Sequence, residues 1–145
     1  MTTTFKDLGL STSTLLQLEQ LGFTDPTQIQ QDAVPALLQG KDIVGQSQTG
    51  TGKTAAFALP ALELVDADNR AVQALILTPT RELAQQVGEA INDFSAKERR
   101  VFSLTVYGGQ SIERQISRLR RGVQIVVGTP GRVIDLLERR ELVLD

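Results

Sequence analysis

A mostly parallel α/β sheet flanked by helices is predicted from three observations. Short apolar runs of strand length alternate with longer stretches of helical period. Each run ends directly in a glycine- or proline-containing turn. One such turn, Gly45-Gln46-Ser47-Gln48-Thr49-Gly50-Thr51-Gly52-Lys53-Thr54, carries a phosphate-binding pattern between an apolar run and a helical one. Alternation of this kind is the mark of strands that pair side by side with helices packed over them.

Taken in order, residues 10–21 read as a first helix. Ser11 or Ser13 caps it, Leu15, Leu18 and Leu21 form its apolar stripe, and Gly22 closes it. Thr27 caps a second helix with Ile29, Ala33, Val34, Leu37 and Leu38 inward, ending at Gly40, and Pro35 is expected to bend it. A short buried strand is expected at 43–45, then the phosphate loop, then a helix to about Val65 that contains Pro60. Residues 65–70 are a polar loop. The continuous apolar run Ala74-Leu75-Ile76-Leu77 fits a strand buried on both faces and breaks at Pro79. Thr80 caps a helix through Leu83, Val87, Ile91 and Phe94. Residues 103–107 form a third strand ended by Gly108-Gly109, and Ser111 caps a helix with Ile112, Ile116 and Leu119 inward. Residues 123–127 form a fourth strand ended by Gly128-Thr129-Pro130-Gly131, and a last helix runs from Arg132 to about Arg139.

Composition sets limits. The 145 residues suit one domain, and 41% hydrophobic content can supply its core. Cysteine and histidine are both absent, which excludes disulfides, thiolate or imidazole zinc sites, and serine–histidine or cysteine–histidine catalysis. No run approaches the ~18–20 apolar residues of a membrane span, and the first residues lack an apolar leader core. A soluble, cytoplasmic chain without membrane association is expected. Net charge is −2, but residues 1–70 hold 4 Lys/Arg against 8 Asp/Glu, while residues 71–145 hold 11 against 9. Any polyanion surface is to be sought in the second half. There, Arg114, Arg118 and Arg121 recur at i, i+4, i+7 on one helix face, a pattern that suits a solvated face or an auxiliary surface for a polyanion or a partner.

In the phosphate loop, successive backbone N–H groups at the positive end of a helix dipole can surround one anion. Lys53 then reaches the outer phosphates, and the Thr54 hydroxyl can ligate magnesium. The spacing departs from the usual pattern only at its first position, where Ser47 stands. Ligands of such sheets gather at the carboxyl ends of strands, and Pro79-Thr80-Arg81-Glu82, Gly108-Gly109 and Thr129-Pro130-Gly131-Arg132 each follow a strand directly.

These motifs, in this order, resemble the DEAD-box RNA helicases of helicase superfamily 2. Gly22-Phe23-Thr24-Asp25-Pro26-Thr27-Gln28-Ile29-Gln30 resembles the Q motif, with Phe5 as the upstream aromatic. Ser47 to Thr54 is similar to motif I, residues 79–84 to motif Ia, Gly108-Gly109 to the GG motif, and residues 129–132 to motif Ib. The resemblance implies a RecA-like P-loop fold, partial at its C-terminal side, as the ATP-binding domain of an ATP-dependent RNA helicase. Within it, 1–40 is the Q-motif region and 41–145 carries the phosphate loop and motifs Ia, GG and Ib. It implies ATP and magnesium as cofactors. Gln30 is expected to hydrogen-bond the adenine edge and Phe5 to pack on its ring, or else to pack on the first helix. Phe23, Thr27, Ser47, Gln48, Thr49, Gly50, Thr51, Gly52, Lys53 and Thr54 complete the implied ATP site. Thr80, Arg81, Gly108, Gly109, Thr129 and Arg132 are expected to hold RNA, single-stranded or duplex, by its backbone and without sequence preference. For Arg81 and Arg132 the alternative is a bracing role within the sheet edge.

Hydrolysis needs a second acid for magnesium and a group that orients water. The strands end in Thr78, Gly108 and Gly128, and Asp145 follows Thr129 by 16 residues, short of where the family carries its DEAD motif. The resemblance therefore implies a part without the DEAD and SAT strands or the second RecA-like domain, inactive alone and open to self-association along unpaired strands. A non-catalytic nucleotide- or RNA-binding module and a P-loop enzyme of another sort, such as a small-molecule kinase, remain alternatives.

Overall fold

A computed structural model describes residues 2–48 and 50–145 and resolves two compact units. One comprises Met1–Leu64 with Asp93–Arg99, the other Val65–Asn92 with Arg100–Asp145. The helix that opens at Gly50 belongs to the first of these.

In the first unit, a 3₁₀ turn at Phe5–Leu8 is followed by α1 (Thr12–Gln20), α2 (Gln28–Leu38) and α3 (Gly50–Leu64). Ser11 caps α1 by accepting from the Thr14 N–H. At its other end Gly22, with φ of 85°, and Phe23 return their N–H groups to Glu19 and Leu18, the paired bonds of a Schellman cap. The left-handed conformation explains why glycine stands at position 22. Helix α2 runs unbroken through Pro35 and lies against α3. Buried Leu18, Ala33, Val34, Ala55, Leu59 and Leu62 form the apolar interior of this unit.

One carboxylate ties α1 to α3. Glu63 Oε1 accepts from the Ser11 N–H (3.0 Å), the Ser11 hydroxyl (2.9 Å) and the Thr14 hydroxyl, while Arg99 stands 3.5 Å from Glu63 Oε2. Three donors converge on one oxygen at a helix N-terminus, where negative charge is favoured.

The expected strand at 43–45 does not form. A strand exists through its ladder, and no described residue pairs with this stretch; Val44 is fully exposed (103%). Two apolar residues in a row signalled a strand without specifying a partner.

The second unit holds a three-stranded parallel sheet of β1 (Ala74–Leu77), β2 (Ser103–Val106) and β3 (Ile125–Gly128), in the order β1-β3-β2. The register sets Leu77 and Val106 beside Gly128, so all three strands end level. β3 is buried throughout, whereas Leu77 on β1 is 56% exposed. β1 is therefore an edge strand in the described sheet and not the doubly covered strand its apolar run suggests. The run reports burial in a whole sheet, which strand position then modifies.

Around the sheet lie α4 (Arg81–Phe94), α5 (Ile112–Arg121) and α6 (Pro130–Glu138). The core joins Leu104, Val106, Val126, Val133, Leu136 and Leu142, with Ile112, Ile116 and Leu119 of α5 packed on it as their period predicts. Helix α6 begins earlier than Arg132 because Pro130, pre-set in φ, occupies its first turn behind Thr129. Arg132 thus sits within the first turn of α6 rather than at its first residue. Among the described residues no helix is long and apolar enough to cross a membrane.

Two substitutions test this packing. Glu63→Ala strands the buried Thr14 hydroxyl and the cap of α1, and is expected to lower stability by about 1–3 kcal/mol in denaturant titration. At Gly128 a Cβ would lie 2.6 Å from Val106 Cγ2 and from Val133 Cγ2, so Gly128→Ala is expected to cost about 1–3 kcal/mol by overpacking.

Candidate functional site

The first cluster lies where α2 and α3 begin. Thr27 and Gln30 form a reciprocal cap: the Gln30 N–H reaches Thr27 Oγ1 at 3.4 Å, and the Thr27 N–H reaches Gln30 Oε1 at 2.9 Å. Gln30 is 2% exposed, and its Nε2 donates to the Gly52 carbonyl at 3.3 Å. Both ends of the amide are thus engaged, one by the Q-motif backbone and one by the first turn of α3. Gly52 packs tightly here, since a Cβ would meet Thr27 Oγ1 at 3.2 Å.

Helix α3 opens at Gly50, directly within the phosphate-binding pattern, which is the loop-to-helix step that anion binding requires. Lys53 sits half-buried in its first turn and faces no carboxylate within ion-pair distance among the described residues. A cationic side chain held unpaired at a helix N-terminus fits a polyphosphate. Thr54 is also half-buried in this turn, Ser47 and Gln48 precede it, and Thr49 lies outside the described residues. The side chain of Thr51 is likewise outside them. Near the chain start, Phe5 is buried (5% exposed) with its ring edge-on to Phe23, centroids 6.5 Å apart; Phe23 in turn meets Phe94 at 5.4 Å. Phe5 thus packs on Phe23 within the first unit.

The second cluster lies at the level strand ends of the second unit. Thr78 N–H bonds the Gly128 carbonyl (3.0 Å) and Thr129 N–H bonds the Val106 carbonyl (3.1 Å), carrying the ladder past the strands and into the turns. Thr80, Arg81, Gly108 and Gly109 are exposed there, and Thr129 and Arg132 half-buried. Arg81 lies over the Tyr107 ring, 5.2 Å from its centroid, and the Tyr107 hydroxyl accepts from Gln85 Nε2 at 2.8 Å. A Cβ on Gly109 would come within 2.9 Å of the Arg81 guanidinium, and its φ is 86°. Arg132 Nη1 donates to Gln115 Oε1 (3.0 Å) and to the Gln110 carbonyl (3.3 Å), so it braces the loop after Gly109. Gln115 Nε2 completes the chain by donating to the Tyr107 carbonyl at 3.3 Å.

Tyr107 and Gln115 escape a reading of motifs. Tyr107 is the sole tyrosine of the chain and precedes the glycine pair, a signal that was available. Gln115 is hidden in an arginine-rich helix, and only its burial discloses it.

The fold defines an α/β protein whose parallel strands deliver backbone-rich, cationic turns to one edge. Residues 27–145 match the family model described as DEAD/DEAH box helicase, and the chain belongs to that family. It is 65% identical over its full length to RNA helicase CrhR of Synechocystis sp. (strain ATCC 27184 / PCC 6803 / Kazusa), of which it spans 29%. Its fold matches a DEAD box protein from the hyperthermophile Methanococcus jannaschii with a TM-score of 0.90 at 42% identity, covering 97% of this chain and 38% of that one. A Dbp5 variant of S. cerevisiae, bound to RNA and ADP BeF3, matches with a TM-score of 0.84 at 34% identity, over 98% of this chain and 36% of the other. The fold is RecA-like, with three parallel strands in the described sheet.

The Tyr107 platform makes a direct prediction. Gly109→Ala combines an unfavourable positive φ with a clash against Arg81, and is expected to destabilise by about 1–2 kcal/mol. The displaced guanidinium should also lose its ring-current shift from Tyr107 in NMR spectra.

Proposed function

We propose that this chain is the ATP- and RNA-binding part of an ATP-dependent RNA helicase. The observation that carries the reading is the join between Gln30 and Gly52, which couples an amide able to recognise adenine to the helix turn that faces phosphate. A glutamine amide has one donor and one acceptor, matching adenine N6 and N7, whereas guanine O6 accepts where N6 donates. An adenine takes that amide only in exchange for its bonds to Thr27 and Gly52, so nucleotide entry would change the contact between the Q motif and α3. Phe5 would pack on the purine ring, with Phe23 behind it.

ATP supplies the phosphates that Lys53 and the N–H groups of the α3 turn would hold, and its magnesium would be met by the Thr54 hydroxyl. The S. cerevisiae relative's bound ADP BeF3 supports the nucleotide, and its bound RNA supports the polymer. RNA would lie along the level strand ends, its backbone held by Thr80, Arg81, Gly108, Gly109, Thr129 and Arg132. Without an aromatic exposed at that edge, bases are not read, and binding is sequence-indifferent and salt-sensitive. Strands β1, β2 and β3 are followed by Thr78, Tyr107 and Thr129, none of which is an acid, so these 145 residues bind nucleotide without hydrolysing it.

Titration with a fluorescent ATP analogue tests this reading. Lys53→Ala is expected to weaken binding roughly 10–150-fold, the loss of one charge-assisted contact of about 1.5–3 kcal/mol. Gln30→Ala should abolish the preference for ATP over GTP and lower stability as well, because the α2 cap is lost. Phosphate release by the wild-type chain should not exceed that of Lys53→Ala; clear magnesium-dependent turnover would contradict the non-hydrolytic part of the proposal.

A further inference from the structure

The arginines of α5 sort into two kinds by their partners. Arg120 is held by Glu141 through bonds of 2.6 and 3.1 Å, and the Arg120 guanidinium is what pulls the Glu141 carboxyl below its ordinary range. Arg114, Arg118 and Arg121 have no ion pair among the described residues. The remaining carboxylate of the helix, Glu113, is engaged by its own N–H and by the Ser111 hydroxyl. Three guanidiniums therefore stand on one face over about 10 Å of helix, at i, i+4 and i+7, with no carboxylate among the described residues to neutralise them. Folding does not need them there, since Ile112, Ile116 and Leu119 make the packing. Like charges this close repel, and an anion relieves that repulsion.

These side chains line a groove of about 370 Å³ between α5 and the outer strand β2, with Gln110, Gln115 and Ser117 adding polar groups and Leu104 the sole hydrophobic residue. Gln110 and Gln115 are also the residues that hold Arg132, so the groove begins where the strand-end cluster stops. We propose that this groove is a second RNA-backbone site, continuing the track of the strand ends along α5 and taking phosphates on Arg114, Arg118 and Arg121. The proposal rests on the RNA reading above. An acidic polypeptide is the less suitable occupant, because protein interfaces draw their affinity from apolar and aromatic anchors and the groove offers Leu104 alone. A sugar–phosphate chain needs only the charges.

Fluorescence anisotropy with a short oligouridylate that covers the strand ends alone, and a longer one, tests the extension. For Arg114→Gln/Arg118→Gln/Arg121→Gln, affinity for the long RNA should fall at least 10-fold at low salt. The slope of its log K against log salt should flatten by about 2, near 0.7 for each of three phosphate contacts. Short-RNA affinity and the melting midpoint should stay unchanged, and Arg118→Gln alone should flatten the slope by about one third as much. Unchanged long-RNA binding, or equal weakening of both RNAs, overturns the proposal. So does loss of polyglutamate binding with RNA binding intact, which would mark an acidic partner. Arg81→Gln/Arg132→Gln separates the two levels: with no effect on either RNA, the strand-end reading falls and the extension falls with it. If that pair weakens both RNAs while the triple variant weakens neither, the groove alone is refuted.

Discussion

The central strand Ile125–Gly128 carries hydrogen-bonded partners on both sides and buries every residue, and the candidate RNA edge depends on that constraint. Because both neighbours run parallel to it in the same register, three separate connections begin at one level. Thr80 and Arg81, Gly108 and Gly109, and Thr129 and Arg132 are far apart in sequence and become neighbours only through this ladder. Gly128 keeps the arrangement tight at its end, where Val106 and Val133 leave no room for a side chain. An antiparallel partner would send one of those turns to the opposite edge and dissolve the cluster.

A different economy governs the first unit. Its candidate nucleotide site rests on no sheet among the described residues, but on two helix N-termini joined by polar contacts. Thr27 and Gln30 satisfy the start of α2, and the same glutamine reaches over to the start of α3. A buried amide with every bond filled is costly to disturb unless a ligand restores those bonds. Gln30 is thus a structural strut, and the proposed purine contact would use that same set of atoms, two roles that motif matching treats as exclusive.

How much of this was legible depends on where each signal is stored. Helix starts at Ser11, Thr27 and Ser111 follow from cap chemistry that involves three or four neighbouring residues, and the structure places caps at all three. The period of Ile112, Ile116 and Leu119 likewise states its own buried face. Strand pairing is non-local, and here local reading fell short. Ile43 and Val44 have an apolar pair but no ladder, and the apolar run at Ala74–Leu77 says nothing about lying at an edge. Pro130 in a glycine-rich turn reads as a breaker between strand and helix, though its fixed φ equally suits a first helical turn, and that is where it stands. Partners such as Tyr107 for Arg81 and Gln115 for Arg132 are tertiary facts with no local trace beyond an isolated tyrosine.

Partnership also decides what a cation in this chain can do. By sequence, the arginines of the second unit are interchangeable; by contact they are not. Arg120 and Arg139 are committed to Glu141 and Asp135, and as exposed pairs they add little to stability. Arg132 is spent on the Gln110 carbonyl and Gln115, where its geometry fixes the loop after Gly109 and its charge remains uncancelled. Arg81 rests on an aromatic face, which orients the guanidinium without neutralising it. Arg114, Arg118 and Arg121 are neither oriented nor neutralised by any described residue. A positioned cation next to backbone N–H groups suits one defined phosphate, whereas a row of unpositioned cations suits a mobile polyanion that passes over it. The gradient from braced to free guanidinium, read from Arg132 outward along α5, therefore has the form of an anchored site with a diffuse electrostatic approach.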